Sequence, residues 1–218
     1  MEFEEVYKKE RATRKFTNRK VMERLLTKIV KEAQQSPSLL NSQPWRAYAV
    51  TGESLENIKK EFKENIDNKV DPKEDFASML SLDWDTFPSQ NMAVMGASQT
   101  YFFSNRINLF AEANAEMFNA PAIIYLTIPK KSPAWSVFDL GIFAQSIMLI
   151  AINNGLSVMP AHSLVSYPDI VRKYAGISEN ESVGMAIAIG YKDNNAEVND
   201  DKFIPDRVPF EKIFKLSK

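Results

Sequence analysis

Apolar positions along this chain change their period several times, and each change marks an element. Val21, Met22, Leu25, Leu26, Ile29, Val30 and Ala33 recur every three to four residues. That spacing makes one stripe and predicts an amphipathic helix over 20–35. Pro37 ends it, because the residue before a proline avoids the α region. Residues 47–51 read as a strand and 53–68 as an exposed, charged helix. Residues 2–11 are also helical and highly charged. The stretch 70–100 carries no clear period and is the least regular part of the chain. Residues 101–118 are expected to be helical, with Phe102, Phe103, Ile107, Leu109, Phe110 and Phe118 as contacts.

The second half is more apolar. Pro121 opens a β-run over 122–128, and a long helix follows over about 134–153. Its apolar run, Val137 to Ile152, is interrupted by Asp139, Gln145 and Ser146 and falls short of the ~20 residues a membrane span needs. It reads as a helix buried on most faces, in mid-fold or at a subunit interface. Asn153-Asn154-Gly155 is a helix stop. A short strand over 156–159, a small helix over 168–174 and a strong strand over 183–191 complete the pattern, before a polar arm at 192–202. Helices outnumber the scattered strands. The expected class is α+β, a central, mostly antiparallel sheet packed by helices. Residues 1–218 are expected to form a single domain, with an insertion or lid at about 60–105.

Composition narrows the chemistry. A hydrophobic fraction of 44% and a charged fraction of 25% are those of a soluble globular chain. A net charge of -1 favours neither nucleic acid nor an anionic membrane as partner. The absence of cysteine excludes disulfides, a thiol nucleophile and Cys-based metal sites, and it fits a cytoplasmic location. No signal peptide is visible in the acidic start. His162, the single histidine, lies outside any nucleophile elbow, and no multi-histidine metal site is possible. Such an enzyme borrows its reactivity from an organic cofactor.

Four segments carry candidate chemistry. Pro37-Ser38-Leu39-Leu40-Asn41-Ser42-Gln43-Pro44-Trp45 is a turn too polar to be buried without partners. A ligand rich in ring nitrogens, carbonyls and hydroxyls would satisfy it; the plainer alternative is a solvated connector. In Arg11-Ala12-Thr13-Arg14, two guanidiniums three residues apart share a face if the segment is helical, and both can then reach one phosphate. Pro160-Ala161-His162-Ser163 follows Gly155-Leu156 and offers backbone N–H groups to the edge of a flat ring. Arg207, after Gly190-Tyr191, is a further cation. Taken singly, each segment also has an ordinary structural explanation.

Taken together, their order and spacing resemble the nitroreductase family of FMN-dependent, NAD(P)H-using oxidoreductases. The family's opening Arg-Arg-Ser-x-Arg-x-Phe is matched at Arg11, Arg14 and Phe16, and its Pro-Ser-x-x-Asn-x-Gln-Pro-Trp at 37–45. Asn114 before Ala120-Pro121, Asp139 in the long helix, Gly155-Leu156, Gly190-Tyr191 and Arg207-x-Pro209 follow in register. Glu10 stands where many members carry arginine, Ala12 replaces the usual serine, and Pro205 replaces a tail lysine, with Lys202 nearby.

The resemblance implies non-covalent FMN in an intertwined homodimer, with the phosphate and ribityl chain held by Arg11, Thr13, Arg14 and Arg207. It implies that Pro37, Ser38, Leu39, Asn41 and Gln43 reach the flavin from the partner subunit. Pro160, Ala161, His162 and Ser163 would lie along the ring, and Asn114 would approach its pyrimidine edge. The implied reaction is ping-pong reduction of a nitroaromatic, a quinone or a similar small acceptor, with NAD(P)H as co-substrate and no catalytic side chain or metal. Alternatives on the same site are enoate reduction, dehalogenation, or flavin binding without turnover. The 60–105 region, with Trp84 and Phe87-Pro88, is similar to that of a subgroup acting on nitroaromatic acids.

Overall fold

A four-stranded antiparallel sheet carries helices on both faces, as seen in a computed structural model that describes residues 2–78, 83–104, 106 and 108–217. The strands are β1 (Arg46–Thr51), β2 (Ala122–Pro129), β3 (Ser157–Pro160) and β4 (Glu181–Gly190), in the spatial order β1-β2-β4-β3. The helices are α1 (Phe3–Lys9), α2 (Glu23–Ala33), α3 (Gly52–Asp67), α4 (Thr86–Phe102), α5 (Leu109–Ala115), α6 (Ala134–Asn153) and α7 (Pro168–Ala175). The α+β expectation holds, and each strand lies within two residues of its expected bounds.

Alternation along the strands builds two cores. Ile124, Leu126, Ile187 and Ile189 face α2 and α6, whereas Ile123, Tyr125, Ala186 and Ala188 face α3, α5 and α7. The central strands β2 and β4 are covered on both sides, which is why they read as continuous apolar runs. Opposite Leu126 and Thr127 the ladder skips Gly184. A Cβ at Gly184 would lie 2.6 Å from Phe76 and 2.7 Å from Leu140. Any larger residue there would have to displace those two side chains, so glycine suits the close packing of Phe76 and Leu140 onto β4.

Three expectations change. The helix α6 has the expected bounds and is long and apolar enough to span a membrane by length and composition, but it is not buried on most faces. It is buried along one face against the sheet, while Trp135, Val137 and Phe138 stand exposed at its N-terminal end. The irregular stretch 70–100 contains α4, a helix with no buried residue. No apolar stripe announces it, and Phe102 at its C-terminal end packs on Phe103 and Phe203. Residues 101–118 are not one helix: the chain turns at Phe103, where Arg106 N–H donates to its carbonyl at 2.7 Å, and α5 begins six residues later. Ile107 lies outside the described residues.

Residues 70–76, after α3, are bolted down. Asp75 accepts from the Arg172 guanidinium and, at 2.7 Å, from Val183 N–H. The Tyr167 hydroxyl donates to Val70 O at 2.9 Å and Lys73 N–H to Ser166 O at 3.0 Å. Arg172 is buried, and it also donates to Glu181 O at 2.9 Å. The Glu181 carboxylate is itself buried and receives the Tyr48 hydroxyl, the Thr127 hydroxyl and, at 3.0 Å, Arg46.

Candidate cofactor site

The first motif is extended, not helical. Ala12 bridges Val158 in parallel and Thr13 N–H donates to Val158 O at 2.9 Å, so the segment runs beside the edge strand β3. The expected convergence of Arg11 and Arg14 on one helical face is therefore absent, since an extended chain turns i and i+3 to opposite faces. Both arginines nevertheless line one cavity of about 830 Å³, together with Thr13, Gly155, Ser157 and Lys192. That volume is in the range of small-ligand sites.

The segment is held along its whole length. Phe16 N–H donates to Phe118 O at 3.0 Å, Thr17 N–H to Tyr191 O at 2.8 Å, and Asp193 N–H to Lys15 O at 3.0 Å. Asn199 is buried and completes the hold. Its amide oxygen accepts Arg14 N–H at 2.8 Å, and its amide nitrogen donates to Lys15 O at 2.7 Å and Asp193 O at 2.9 Å. Nothing in the local sequence distinguishes Asn199 within a polar arm, and it was not among the expected site residues. The left-handed run Met117, Phe118 and Asn119, with φ of 48°, 59° and 53°, turns the Asn119 amide to donate to Phe16 O at 3.0 Å.

Arg14 is half-buried, with its guanidinium 4.7 Å from the centroid of the Phe110 ring and a weak bond to Ala12 O at 3.4 Å. Burial lowers its pKa from the ordinary arginine value. The group stays cationic. Among the described residues neither Arg14 nor Arg11 is in an ion pair, whereas the cavity's Lys192 is bound to Asp201. A desolvated guanidinium without a carboxylate is a site for an external anion. Glu10, in place of an arginine, accepts from Gln145 at 2.8 Å.

The ring segment lies at the far end of β3. Ala161 N–H is already bonded to Ala186 O at 3.0 Å. The next two N–H groups, of His162 and Ser163, open a 3₁₀ turn (His162–Val165) and have no acceptor among the described residues. Asn114 and Ser163, 49 positions apart, meet: the serine hydroxyl donates to Asn114 Oδ1 at 2.8 Å. Asn114 also donates to Phe110 O at 2.8 Å, the ring beneath Arg14. His162 is exposed and lies 3.6 Å from Glu74.

The turn 37–43 stands apart. Leu39 N–H donates to the buried Asp139 of α6 at 3.2 Å, and Trp45 stacks on Phe143 with centroids 4.8 Å apart. Between those anchors Leu40, Asn41 and Gln43 take positive φ, and Leu40 is 94% exposed. Ser38 Oγ accepts from Gln43 N–H at 2.9 Å, and Gln43 donates to Asn41 Oδ1 at 3.0 Å. Pro37 flanks the turn. Among the described residues no hydrogen bond links it to 11–14, 114 or 160–163. Arg207 is exposed and donates to Pro205 O at 3.1 Å, away from the cavity lining.

Sheet order, the tethered 11–17 segment, the open N–H pair and the polar turn together define one family. The chain belongs to the nitroreductase family, whose model matches residues 7–191. Among particular proteins it is 26% identical over 206 residues to a 4-nitrobenzoate reductase of Pseudomonas putida, covering 91% of this chain and 88% of that one. It is 28% identical to the nitroreductase NfnB of Mycolicibacterium smegmatis, covering 90% and 85%. The crystal structure of an FMN- and NADPH-dependent nitroreductase NfnB from a Sphigopyxis strain superposes over the full length of both chains, with a TM-score of 0.88 at 25% identity.

Proposed function

We propose that this chain is an FMN-dependent oxidoreductase that uses NAD(P)H to reduce nitroaromatics, quinones or similar small acceptors in a ping-pong cycle. The observation that carries the reading is that an unneutralised, half-buried Arg14, on the segment bridged to β3, and the open N–H groups of His162 and Ser163, just after β3, lie along one sheet edge. The cation suits a phosphate and the N–H pair an acceptor atom on a planar ring. Bound there, the flavin would take hydride from the nicotinamide and pass two electrons to the acceptor.

This chain's residues would bind and orient. Arg11, Thr13 and Arg14 would hold the phosphate and ribityl chain, with Arg207 as an additional cation. His162 and Ser163 would donate from the backbone to the ring edge, supported by Pro160 and Ala161, and Asn114 would face the pyrimidine side. N–H donors fixed before the reaction stabilise developing negative charge without reorganisation. The spent Ala161 N–H restricts the donor to the two residues that follow.

We further infer a two-fold homodimer in which Pro37, Ser38, Leu39, Asn41 and Gln43 serve the partner's flavin. Three features support it. The turn is anchored at both ends yet open in the middle, α6 exposes Trp135, Val137 and Phe138, and the tail exposes Phe210, Ile213, Phe214 and Leu216. Surfaces of this kind favour an isologous interface of well over ~1,200 Å². The chain is read as one domain, with the segment ahead of α4 and α4 itself as a cover over the site, working in the cytoplasm with no nucleic-acid or membrane partner.

The test is a visible absorbance spectrum of purified protein during FMN titration. NADPH and NADH oxidation would then be followed with and without 4-nitrobenzoate, and mass measured by light scattering. A yellow dimer that oxidises a nicotinamide faster with the nitro compound is expected. A colourless protein after FMN addition refutes the reading, and nitro-independent oxidation directs it to another acceptor.

A further inference from the structure

His162 is the only histidine of the chain, and its imidazole is 63% exposed beside two backbone N–H groups with no acceptor among the described residues. Its Nε2 lies 3.6 Å from Oε1 of Glu74, whose side chain is only 13% exposed. Glu74 is not a loose surface carboxylate. Its other oxygen accepts the Ser78 hydroxyl at 2.7 Å. The residues on both sides are fixed to the core: Lys73 by its backbone to Ser166, Asp75 by Arg172 and Val183, and Phe76 by contact over Gly184. The fold therefore carries one carboxylate from a tethered segment to the one imidazole of the site.

The charged groups of the surrounding elements are otherwise engaged. On β4, Glu181 is bonded to Arg46 and Tyr48; on α5, Glu112 faces Arg106; on the tethered segment Asp75 is held by Arg172, and the Lys73 residue is exposed. Of the ionisable groups near the 3₁₀ turn, Glu74 is the one that pairs with His162.

We propose that His162 is the proton donor to the electron acceptor and that Glu74 is its positioning residue. The inference rests on the flavin reading above. Reduction of a nitro group to nitroso consumes two electrons and two protons. The bound flavin would supply both electrons and one proton as hydride to a nitro oxygen, forming the first O–H bond of the departing water. The second proton would come from the His162 imidazolium: its N–H bond breaks, the second O–H bond forms on the same oxygen, the nitro N–O bond breaks, and water leaves. The neutral imidazole regains its proton from solvent. Histidine is the side chain suited to proton exchange near neutral pH, and Glu74, 3.6 Å away, fixes where its ring stands.

Three measurements on the flavin-loaded protein test this. The first is turnover of 4-nitrobenzoate relative to ferricyanide, which takes electrons and no proton. His162→Gln should lower that ratio about 100-fold, the scale of general acid catalysis. Glu74→Gln should lower it by less, with partial rescue in Glu74→Asp. The second is the pH profile of nitro reduction, which should lose its fall toward alkaline pH in His162→Gln. The third is independent of turnover. The single histidine gives one set of ring NMR signals, which should shift when FMN binds and differ between wild type and Glu74→Gln. An unchanged ratio in a yellow His162→Gln protein overturns the proton-donor role and leaves the flavin reading intact. A wild-type protein that binds no FMN removes both. Ring signals indifferent to FMN place the imidazole away from the site and overturn the proposal alone.

Discussion

The segment 11–17 and the turn 37–43 are both short, polar and irregular, yet they are finished differently. Residues 11–17 are bonded by backbone to β3, to Phe118 and to Tyr191, and Asn199 makes three hydrogen bonds across them. Their own chain satisfies their backbone and leaves the Arg11 and Arg14 guanidiniums without an ion pair among the described residues. The turn 37–43 has firm ends, at Asp139 and Trp45, and a middle whose side-chain hydrogen bonds, among the described residues, stay within the turn. Three left-handed non-glycine residues hold that middle in a shape with no use inside the chain. Strain of this kind persists where the surroundings over-determine it and marks functional segments. The contrast fits the proposed division, in which one half of the site is complete in a single chain and the other half serves a second.

The largest effect tests that division directly. Arg14→Glu should abolish FMN binding by reversing charge at the phosphate end. Asn41→Pro should do the same from the turn, because proline cannot take the φ of 58° found there. Mixed dimers of the two variants contain one site in which both defects fall together and one in which neither does. Such dimers should bind one FMN each, read by absorbance against protein mass. No recovery would return the turn to its own chain's site.

Next in size is Trp45→Ala, which removes the ring stacked on Phe143 and should cost about 3–5 kcal/mol in urea unfolding. Asn199→Ala should cost about 2–3 kcal/mol, because it strands an N–H and two carbonyls, and it should weaken FMN binding as well. Asp139→Ala removes the acceptor of Leu39 N–H and should cost about 1–2 kcal/mol, with flavin affinity lost only through the partner's site. Ser38→Ala should be the mildest, at about 0.5–1 kcal/mol, since its bond to Gln43 N–H is solvent-exposed. Thermal melts and FMN titrations on the same samples would separate stability from binding. Equal losses of affinity from Asn199→Ala and Ser38→Ala would erase the contrast between the two segments.

Legibility in the sequence followed burial. The strands β2 and β4 are covered on both faces, and helix α2 on one. Their apolar periods record that cover, so all three were readable. The helix α4 buries nothing in this chain, so no period announced it. The break at Phe103 and the left-handed run at 117–119 depend on bonds to Arg106 and Phe16, distant or irregular partners that no local propensity encodes. The motif at 11–14 was legible as a phosphate candidate, but its conformation was not, because the bridge to Val158 overrides any helical preference. Asn199, Asp139 and Glu74 are ordinary polar residues in sequence and acquire their roles only through partners 100 or more positions away for two of them, and 88 for the third.

The sequence by itself determined the fold class, the family and the candidate segments for a cofactor. These depend on residue type and spacing, which the chain carries explicitly. Only the tertiary structure decided which groups remain unsatisfied: the Arg14 guanidinium without a carboxylate, the His162 and Ser163 N–H groups after Ala161 is spent, and the open middle of the turn. The reason is physical. A donor or a charge is available for function only when no neighbour has taken it, and neighbours are set by the packing of distant parts of the chain.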